Sequence, residues 1–264
     1  MEQRGDVDAP TVVFAHGFGQ TRHAWHGAAM TFAAGGYHTI SFDARGHGDS
    51  DHAGEKGYGI DAFLDDLAAI GALAHRPPVL VGASMGGLLG LALAGEREPA
   101  PFSALVLVDI TPRWESAGVE RVLDFMGANP EGFANTAEAA AAVAAYMPQR
   151  RDPQTESRFG GLLREGHDGR LRWHWDPYLL KAVGDDADRH QPRLIAAARR
   201  VRVPVLLLSG GRSDVVSANT AAEFLQLVPH AQHVRVARAS HMLVGDANDA
   251  FTREITRFLQ QLDL

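Results

Sequence analysis

Short apolar runs alternate with stretches of helical periodicity along the first part of the chain. The apolar runs predict strands at residues 11–15, 37–42, 78–81 and 102–108. Apolar positions at helical spacing predict helices at residues 22–34 and 60–74 and from Met85 onward. Strands that alternate with helices form a mostly parallel sheet with helices on both faces. The pattern therefore predicts an α/β fold.

This alternation stops after residue 110 and resumes near residue 200. The intervening segment has helical patterns at 119–126 and 136–147, proline-containing loops and no strong strand pattern. Strands are predicted again at 203–208 and 233–236, and helices at 218–227 and 246–262. Parallel sheets bind ligands at the carboxyl ends of their strands, where an inserted helical block is expected to form a cap. We predict a core at 1–110 and 200–264 and a helical cap at 111–199.

The most informative motif lies where a predicted strand meets a predicted helix. Gly82, Ser84 and Gly86 form the pattern Gly-x-Ser-x-Gly, which is typical of a nucleophilic serine on a strained strand-to-helix turn. The glycines lack the Cβ atoms that would clash in such a turn. The helix that follows directs its N–H groups at the place where an oxyanion forms. We predict Ser84 as the nucleophile; a tightly packed turn with Ser84 as a helix N-cap is the structural alternative.

A nucleophilic serine needs a histidine base and a carboxylate that orients the base. In a sheet of this kind the expected order along the chain is serine, acid, histidine. Asp214 follows one of the later predicted strands and His241 follows the next, so both are expected at the same sheet edge as Ser84. The predicted triad is Ser84, Asp214 and His241. Asp109 also follows a strand and is the alternative acid, unless it only begins the cap.

The composition of the 264 residues narrows the chemistry further. The chain has no cysteine, which excludes disulfides, thiolate nucleophiles and cysteine-ligated metals. A net charge of −7 without a basic block gives no support for nucleic-acid binding. Without a leader-like or membrane-length apolar run, we expect a cytoplasmic protein with no membrane partner. The motifs of zinc peptidases and phosphate-binding loops are absent, so we expect neither a metal nor a cofactor.

Several segments together resemble the α/β-hydrolase-fold serine hydrolases. The matching segments are His16-Gly17-Phe18-Gly19, the loop 43–50, residues 82–87, Asp214 and Ser240-His241. The resemblance covers nearly the whole chain and implies an α/β-hydrolase fold, with a mostly parallel sheet and an inserted helical cap. It also implies an oxyanion hole formed by the backbone N–H groups of Phe18 and Met85. Two such donors stabilise a tetrahedral intermediate by several kcal/mol.

A serine nucleophile attacks acyl carbons, so the expected reaction is hydrolysis of an ester, thioester, lactone or amide. Ser84 stands where haloalkane dehalogenases and epoxide hydrolases have an aspartate, which argues against both activities. We predict a carboxylesterase with a small-molecule ester substrate, because this activity requires least beyond the triad. Enol-lactonase, carbon–carbon bond hydrolase and cofactor-free perhydrolase are alternatives on the same triad. A small-molecule receptor is the non-enzyme alternative, and the sequence does not specify an oligomeric state.

The predicted cap is rich in aromatic residues suited to an apolar acyl or aryl group. Trp173 and Trp175 alternate with His174, so an extended backbone would place both indole rings on one face. Trp173, Trp175 and Tyr146 are therefore candidate substrate-binding residues. Packing of the cap onto the core is the more common use of a tryptophan.

Overall fold

The computed structural model of the protein describes residues 1–146, 160–237 and 248–262. Its strands are β1 (Glu2–Arg4), β2 (Thr11–Ala15), β3 (His38–Phe42), β4 (Val79–Ala83), β5 (Ala104–Val108), β6 (Leu163–Glu165), β7 (Leu171–Trp173), β8 (Val205–Gly210) and β9 (Gln232–Val236). Its α-helices are α1 (His26–Ala34), α2 (Ile60–Gly71), α3 (Met85–Glu96), α4 (Ser116–Gly127), α5 (Thr136–Tyr146), α6 (Pro177–Asp186), α7 (Gln191–Ala198), α8 (Ala218–Leu227) and α9 (Asn248–Leu259). Short 3-10 helices lie at Arg22–Trp25, Gly160–Leu162 and Ala187–His190.

One sheet of seven strands has the order β1-β3-β2-β4-β5-β8-β9. Its neighbouring strands are parallel, except that β1 runs antiparallel to β3 at one edge. The carboxyl ends of the parallel strands meet at one edge of the sheet, where such sheets bind ligands. The predicted α/β fold with a mostly parallel sheet is confirmed.

Burial of the sheet on both faces explains its continuous apolar strands. Every residue of β2, β3, β4 and β5 is buried. Along β2, Val12 and Phe14 pack with α1 and α9, whereas Val13 and Ala15 pack on the opposite face with α2 and α3. Helices therefore cover both faces of the sheet. No helix in the described part of the chain is long and apolar enough to cross a membrane.

The segment predicted as a helical cap contains α4, α5 and α6 and also a short antiparallel hairpin formed by β6 and β7. The sequence pattern did not predict this hairpin, because strands of three residues are too short to show a periodicity. Arg164 on β6 forms an ion pair with Asp49 at 2.8 Å. The hairpin is thus joined directly to a core loop.

The last helix of the predicted cap, α7, lies against the core helix α3. A Cβ added to Gly95 would lie 2.1 Å from the carbonyl oxygen of Ala197, so the two backbones are in close contact. Arg193 on α7 also pairs with Glu96 on α3 at 2.7 Å. The boundary between cap and core at residue 199 stays a prediction. In the structure, α7 packs on the core helix α3.

Replacement of Gly95 by alanine tests this helix contact. The added methyl group has no room against Ala197, so we expect Gly95→Ala to lower the free energy of unfolding by about 1–3 kcal/mol. Gly127→Ala is the matched control, because Gly127 ends α4 and no atom lies within 4 Å of an added Cβ. The control should be neutral or stabilising by up to about 1 kcal/mol. Urea unfolding measures both, and equal effects would contradict the close packing of α3 on α7.

Candidate active site

Ser84 occupies the turn between β4 and α3 with a left-handed backbone, at φ 45° and ψ −114°. Its N–H donates to the carbonyl of Val108 at 3.0 Å. A Cβ on Gly82 would lie 2.5 Å from the carbonyl carbon of Gly86, and a Cβ on Gly86 would lie 2.6 Å from the carbonyl oxygen of Ala15. Both distances are far below van der Waals contact, so the turn requires glycine at both positions. The strand, turn and helix that the motif demands are all present.

The loop after β2 lies beside this serine. A Cβ on Gly17 would lie only 3.4 Å from the Cβ of Ser84, and the amide oxygen of Gln20 accepts from the Gly17 N–H at 3.0 Å. Phe18 follows Gly17 in this loop, and Met85 is the first residue of α3. Within the described ranges, the N–H groups of Phe18 and Met85 donate to no protein acceptor. Both N–H groups are thus available to a ligand oxygen near Ser84.

Two buried histidines fix the loop that carries Phe18. His16 Nε2 accepts from the N–H of Ala44 at 2.9 Å, and its Nδ1 donates to the Gly17 carbonyl at 2.8 Å. His47 Nε2 accepts from the N–H of Gly19 at 3.1 Å. A backbone N–H can only donate, so each accepting ring nitrogen is unprotonated. The bonds therefore hold both imidazoles in the neutral form.

A third histidine, His174, reaches the same loop from the segment that follows β7. Its Nδ1 accepts from the N–H of Gly48 at 2.7 Å, and its Nε2 lies 3.3 Å from the carbonyl oxygen of Gly19, to which it donates. The next residue but one, Asp176, accepts a 2.6 Å hydrogen bond from the Tyr58 hydroxyl. The segment predicted as the cap is thus joined by hydrogen bonds to two loops at the carboxyl edge of the sheet.

Burial lowers the pKa of each of these three histidines. The pKa of His174 falls to about 4, mainly by desolvation and further by the nearby His16 and Arg164. Desolvation also lowers the pKa of His16 and brings that of His47 well below its ordinary value. All three rings are consequently neutral at pH 7, in agreement with their hydrogen bonds.

The two aspartates proposed for the acid have different surroundings. Asp214 lies in the loop after β8, where its carboxylate forms an ion pair with Arg121 Nη1 at 2.6 Å, and its side chain is 35% exposed. Asp109 directly follows β5 and is 1% exposed. Its carboxylate accepts from the N–H of Gly210 at 2.7 Å and from the hydroxyl of Ser213 at 2.6 Å. The predicted base, His241, lies outside the described residues.

The candidate substrate-binding aromatics form a stacked group in the predicted cap. Trp173 and Trp175 stack with their ring centroids 5.1 Å apart at 16°, which confirms that both lie on one face. Tyr146 stacks on Phe125 at 4.3 Å, and Phe125 in turn lies 6.0 Å from Trp173. Both tryptophans are buried, so much of their surface packs within the protein.

The predicted cap also contacts the loop that carries Phe18. A Cβ on Gly19 would lie 2.8 Å from Met126 Cε and 3.5 Å from Trp175 Cζ3. Sequence reasoning missed the contacts of Met126 and His174. The sequence signal that could have pointed to His174 is its position between two tryptophans. An extended backbone directs its imidazole to the face opposite the two indole rings.

Substitution of His174 tests the contact of this histidine with the loops after β2 and β3. The folded-state pKa of about 4 lies below the ordinary 6.5, so the unfolded state binds more protons between these pH values. Stability from this group is therefore complete above pH 6.5 and is lost as the pH falls toward 4, by roughly 3 kcal/mol in all. We expect His174→Gln to flatten this part of the pH dependence in urea unfolding. His167→Gln, at an exposed site in the same hairpin, should keep the wild-type slope; equal slopes in all three proteins would contradict the assignment.

Comparison with known proteins agrees with this architecture. The chain is 29% identical over 264 residues to the 2-(acetamidomethylene)succinate hydrolase of Mesorhizobium japonicum, with 98% of this chain and 91% of that protein covered. It is 29% identical over 251 residues to the 3-hydroxybutyrate-oligomer hydrolase of Cupriavidus necator, with coverage of 90% and 84%. A crystal structure of E-2-(acetamidomethylene)succinate hydrolase matches with a TM-score of 0.85 at 26% identity, covering 98% of this chain and 93% of that one. The profile of the alpha/beta hydrolase fold matches residues 10–247, and the chain belongs to that family.

Proposed function

We propose that the protein is a serine hydrolase that cleaves carboxylic esters of small molecules through an acyl-enzyme intermediate. The observation that carries this proposal is the left-handed turn at Ser84, whose glycines have no room for side chains. Strain of this kind costs on the order of 1–3 kcal/mol and is concentrated at functional sites. A serine used only as a helix N-cap has an extended backbone, which Ser84 does not have.

In the proposed reaction, Ser84 Oγ attacks the ester carbonyl carbon while His241 takes the hydroxyl proton. The N–H groups of Phe18 and Met85 donate to the oxygen that becomes negatively charged. Collapse of the tetrahedral intermediate breaks the bond to the alcohol, which leaves with the proton from His241. Water then attacks the acyl-enzyme with His241 as base, and Ser84 and the carboxylic acid are released. A strand-end aspartate, predicted as Asp214 with Asp109 as the alternative, orients the histidine.

The aromatic group of the cap supports an apolar substrate moiety. Trp175 and Met126 lie against Gly19, beside the proposed oxyanion donor Phe18. Trp173 stacks on Trp175 and extends this apolar surface toward Tyr146 through Phe125. We propose that Trp173, Trp175 and Tyr146 shape the part of the site that receives the acyl or aryl group. The two curated relatives are named for different substrates at the same 29% identity, so similarity alone selects neither.

Hydrolysis of p-nitrophenyl esters of graded acyl length tests the proposed function. We expect wild-type protein to favour short chains, and Ser84→Ala to lower kcat/KM at least about 1,000-fold. Ser103→Ala is the matched control, because Ser103 precedes β5 at the opposite end of the sheet. The control should keep the wild-type rate.

The outcomes separate the proposed esterase from its alternatives. Equal rates in wild type and Ser84→Ala would exclude Ser84 as the nucleophile. Absence of turnover with every ester, but labelling of Ser84 by a fluorophosphonate, would contradict the esterase and favour a receptor or a hydrolase of lactones or diketones. Labelling that is lost in Ser84→Ala and kept in Ser103→Ala would identify the reactive serine independently of the substrate.

A further inference from the structure

Gln20 closes the loop that carries the proposed oxyanion donor Phe18. The Gln20 N–H donates to the Gly17 carbonyl at 3.1 Å, so residues 17–20 form a four-residue turn. Gly19, the third residue of this turn, has a φ of 74°, whereas Phe18 is not among the residues with a positive φ. This combination is typical of a type II turn, which requires a left-handed third residue. The loop therefore folds back and brings Gln20 beside Gly17.

The side chain of Gln20 returns to the same glycine. Its Oε1 accepts from the Gly17 N–H at 3.0 Å. A backbone N–H can only donate, so the amide is oriented with its oxygen toward Gly17. Gln20 thus binds both backbone groups of Gly17. A Cβ added to Gly17 would lie 3.2 Å from this amide oxygen and 3.4 Å from the Cβ of Ser84, so the residue that Gln20 holds lies next to the proposed nucleophile.

Three of the four N–H groups of this turn are bonded within the protein. The Gly17 N–H donates to the Gln20 side chain, and the Gln20 N–H donates to the Gly17 carbonyl. The Gly19 N–H donates to His47 Nε2 at 3.1 Å. In the described part of the chain, the Phe18 N–H has no protein acceptor. The Gln20 side chain therefore occupies the one neighbouring N–H that would otherwise compete with Phe18 for a ligand oxygen.

The same bonds determine the direction of the Phe18 N–H. The peptide between Gly17 and Phe18 is planar and trans, so the Phe18 N–H points opposite to the Gly17 carbonyl. This carbonyl accepts from His16 Nδ1 at 2.8 Å and from the Gln20 N–H at 3.1 Å. The Gln20 side chain holds the other backbone group of Gly17 and so prevents the glycine from turning away from these two donors. The direction matters because an oxyanion donor acts only where the negative charge develops.

We propose that Gln20 is a positioning residue of the oxyanion hole, whose side-chain oxygen holds Gly17 so that the Phe18 N–H is directed at the substrate carbonyl oxygen. This inference rests on the proposed serine hydrolase function. It assigns a role to a residue that lies outside the segment His16-Gly17-Phe18-Gly19, on which the family resemblance depends.

Replacement of Gln20 by methionine tests this role with p-nitrophenyl acetate as substrate. Methionine has a similar length but no amide oxygen, so the Gly17 N–H loses its acceptor and the next peptide is free to turn. Removal of an oxyanion donor costs roughly 100- to 1,000-fold in kcat, so we expect its displacement in Gln20→Met to lower kcat about 10- to 100-fold, with KM changed by less than about threefold. Gln260→Met, at an exposed position just after α9, is the matched control and should keep both constants.

Inhibition by a pair of ketones distinguishes positioning from a merely structural role. A trifluoromethyl ketone adds to a nucleophilic serine and forms a tetrahedral adduct with a negatively charged oxygen, whereas the corresponding methyl ketone binds without this charge. We expect Gln20→Met to raise the Ki of the trifluoromethyl ketone by about the factor by which it lowers kcat, and to leave the Ki of the methyl ketone unchanged. Equal weakening of both ketones, or a wild-type kcat with a lower free energy of unfolding, would overturn the proposal, because Gln20 would then only stabilise the loop.

A second variant covers the case in which Gln20→Met does not fold, as judged by circular dichroism. Gln20→Ala also lacks the amide oxygen and adds no bulk, and the same loss of kcat and the same difference between the two ketones are expected for it. Ser84→Ala, measured in parallel, separates this inference from the proposed function. A rate that depends on Ser84 but not on Gln20 would remove the positioning role alone, whereas a rate independent of Ser84 would remove the basis of both.

Discussion

The close packing of the turn at Ser84 constrains the rest of the site. The start of α3 lies so near β2 and β4 that Gly82 and Gly86 have no room for a Cβ. This proximity forces Ser84 into a left-handed backbone and brings its N–H to the carbonyl of Val108 at the end of β5. The same contact places the loop after β2 beside the serine. One steric condition therefore sets the positions of the proposed nucleophile and of both proposed oxyanion donors.

Neutral histidines connect this turn to its surroundings. His16 and His47 join the loop after β2 to the loop after β3, and His174 adds a contact from the predicted cap. Each of the three rings accepts from a backbone N–H, and each has its pKa lowered by burial. These bonds exist only while the rings are unprotonated. The segment that follows the β6–β7 hairpin is thus part of the framework that positions Phe18.

The opposite side of the predicted cap meets the core through α4. There, α4 contacts the loop after β8 through the pair of Arg121 and Asp214 and through the close approach of Gly118. The ion pair is partly exposed, and such pairs contribute only about 0–1 kcal/mol. Val215, which lies against Gly118, is buried, and its carbonyl accepts from the N–H of Glu115 at 3.0 Å. The predicted cap is therefore attached on one side through buried histidine hydrogen bonds, and on the other through backbone packing, a backbone hydrogen bond and a partly exposed ion pair.

The sequence by itself determined the elements of the core. The strand at 11–15 and the helix at 218–227 coincide with β2 and α8, and the fold class is confirmed. These predictions succeed because a sheet buried on both faces requires continuous apolar strands, and an amphipathic helix shows its period over several turns. The Gly-x-Ser-x-Gly motif likewise located the strained turn, because only glycine fits at the two closely packed positions that flank the serine.

Only the tertiary structure decided what depends on contacts between distant segments. The β6–β7 hairpin has strands of three residues, whose pairing is too short to leave a periodic pattern. The sequence has 13 histidines, and among the described ones only the structure shows that the rings of His16, His47 and His174 accept from backbone N–H groups of distant loops. Asp109 and Asp214 both follow strands, so strand order along the chain could not rank them. Their burial, backbone strain and hydrogen-bond partners differ because β5 neighbours β4, whereas the loop after β8 faces Arg121 on α4.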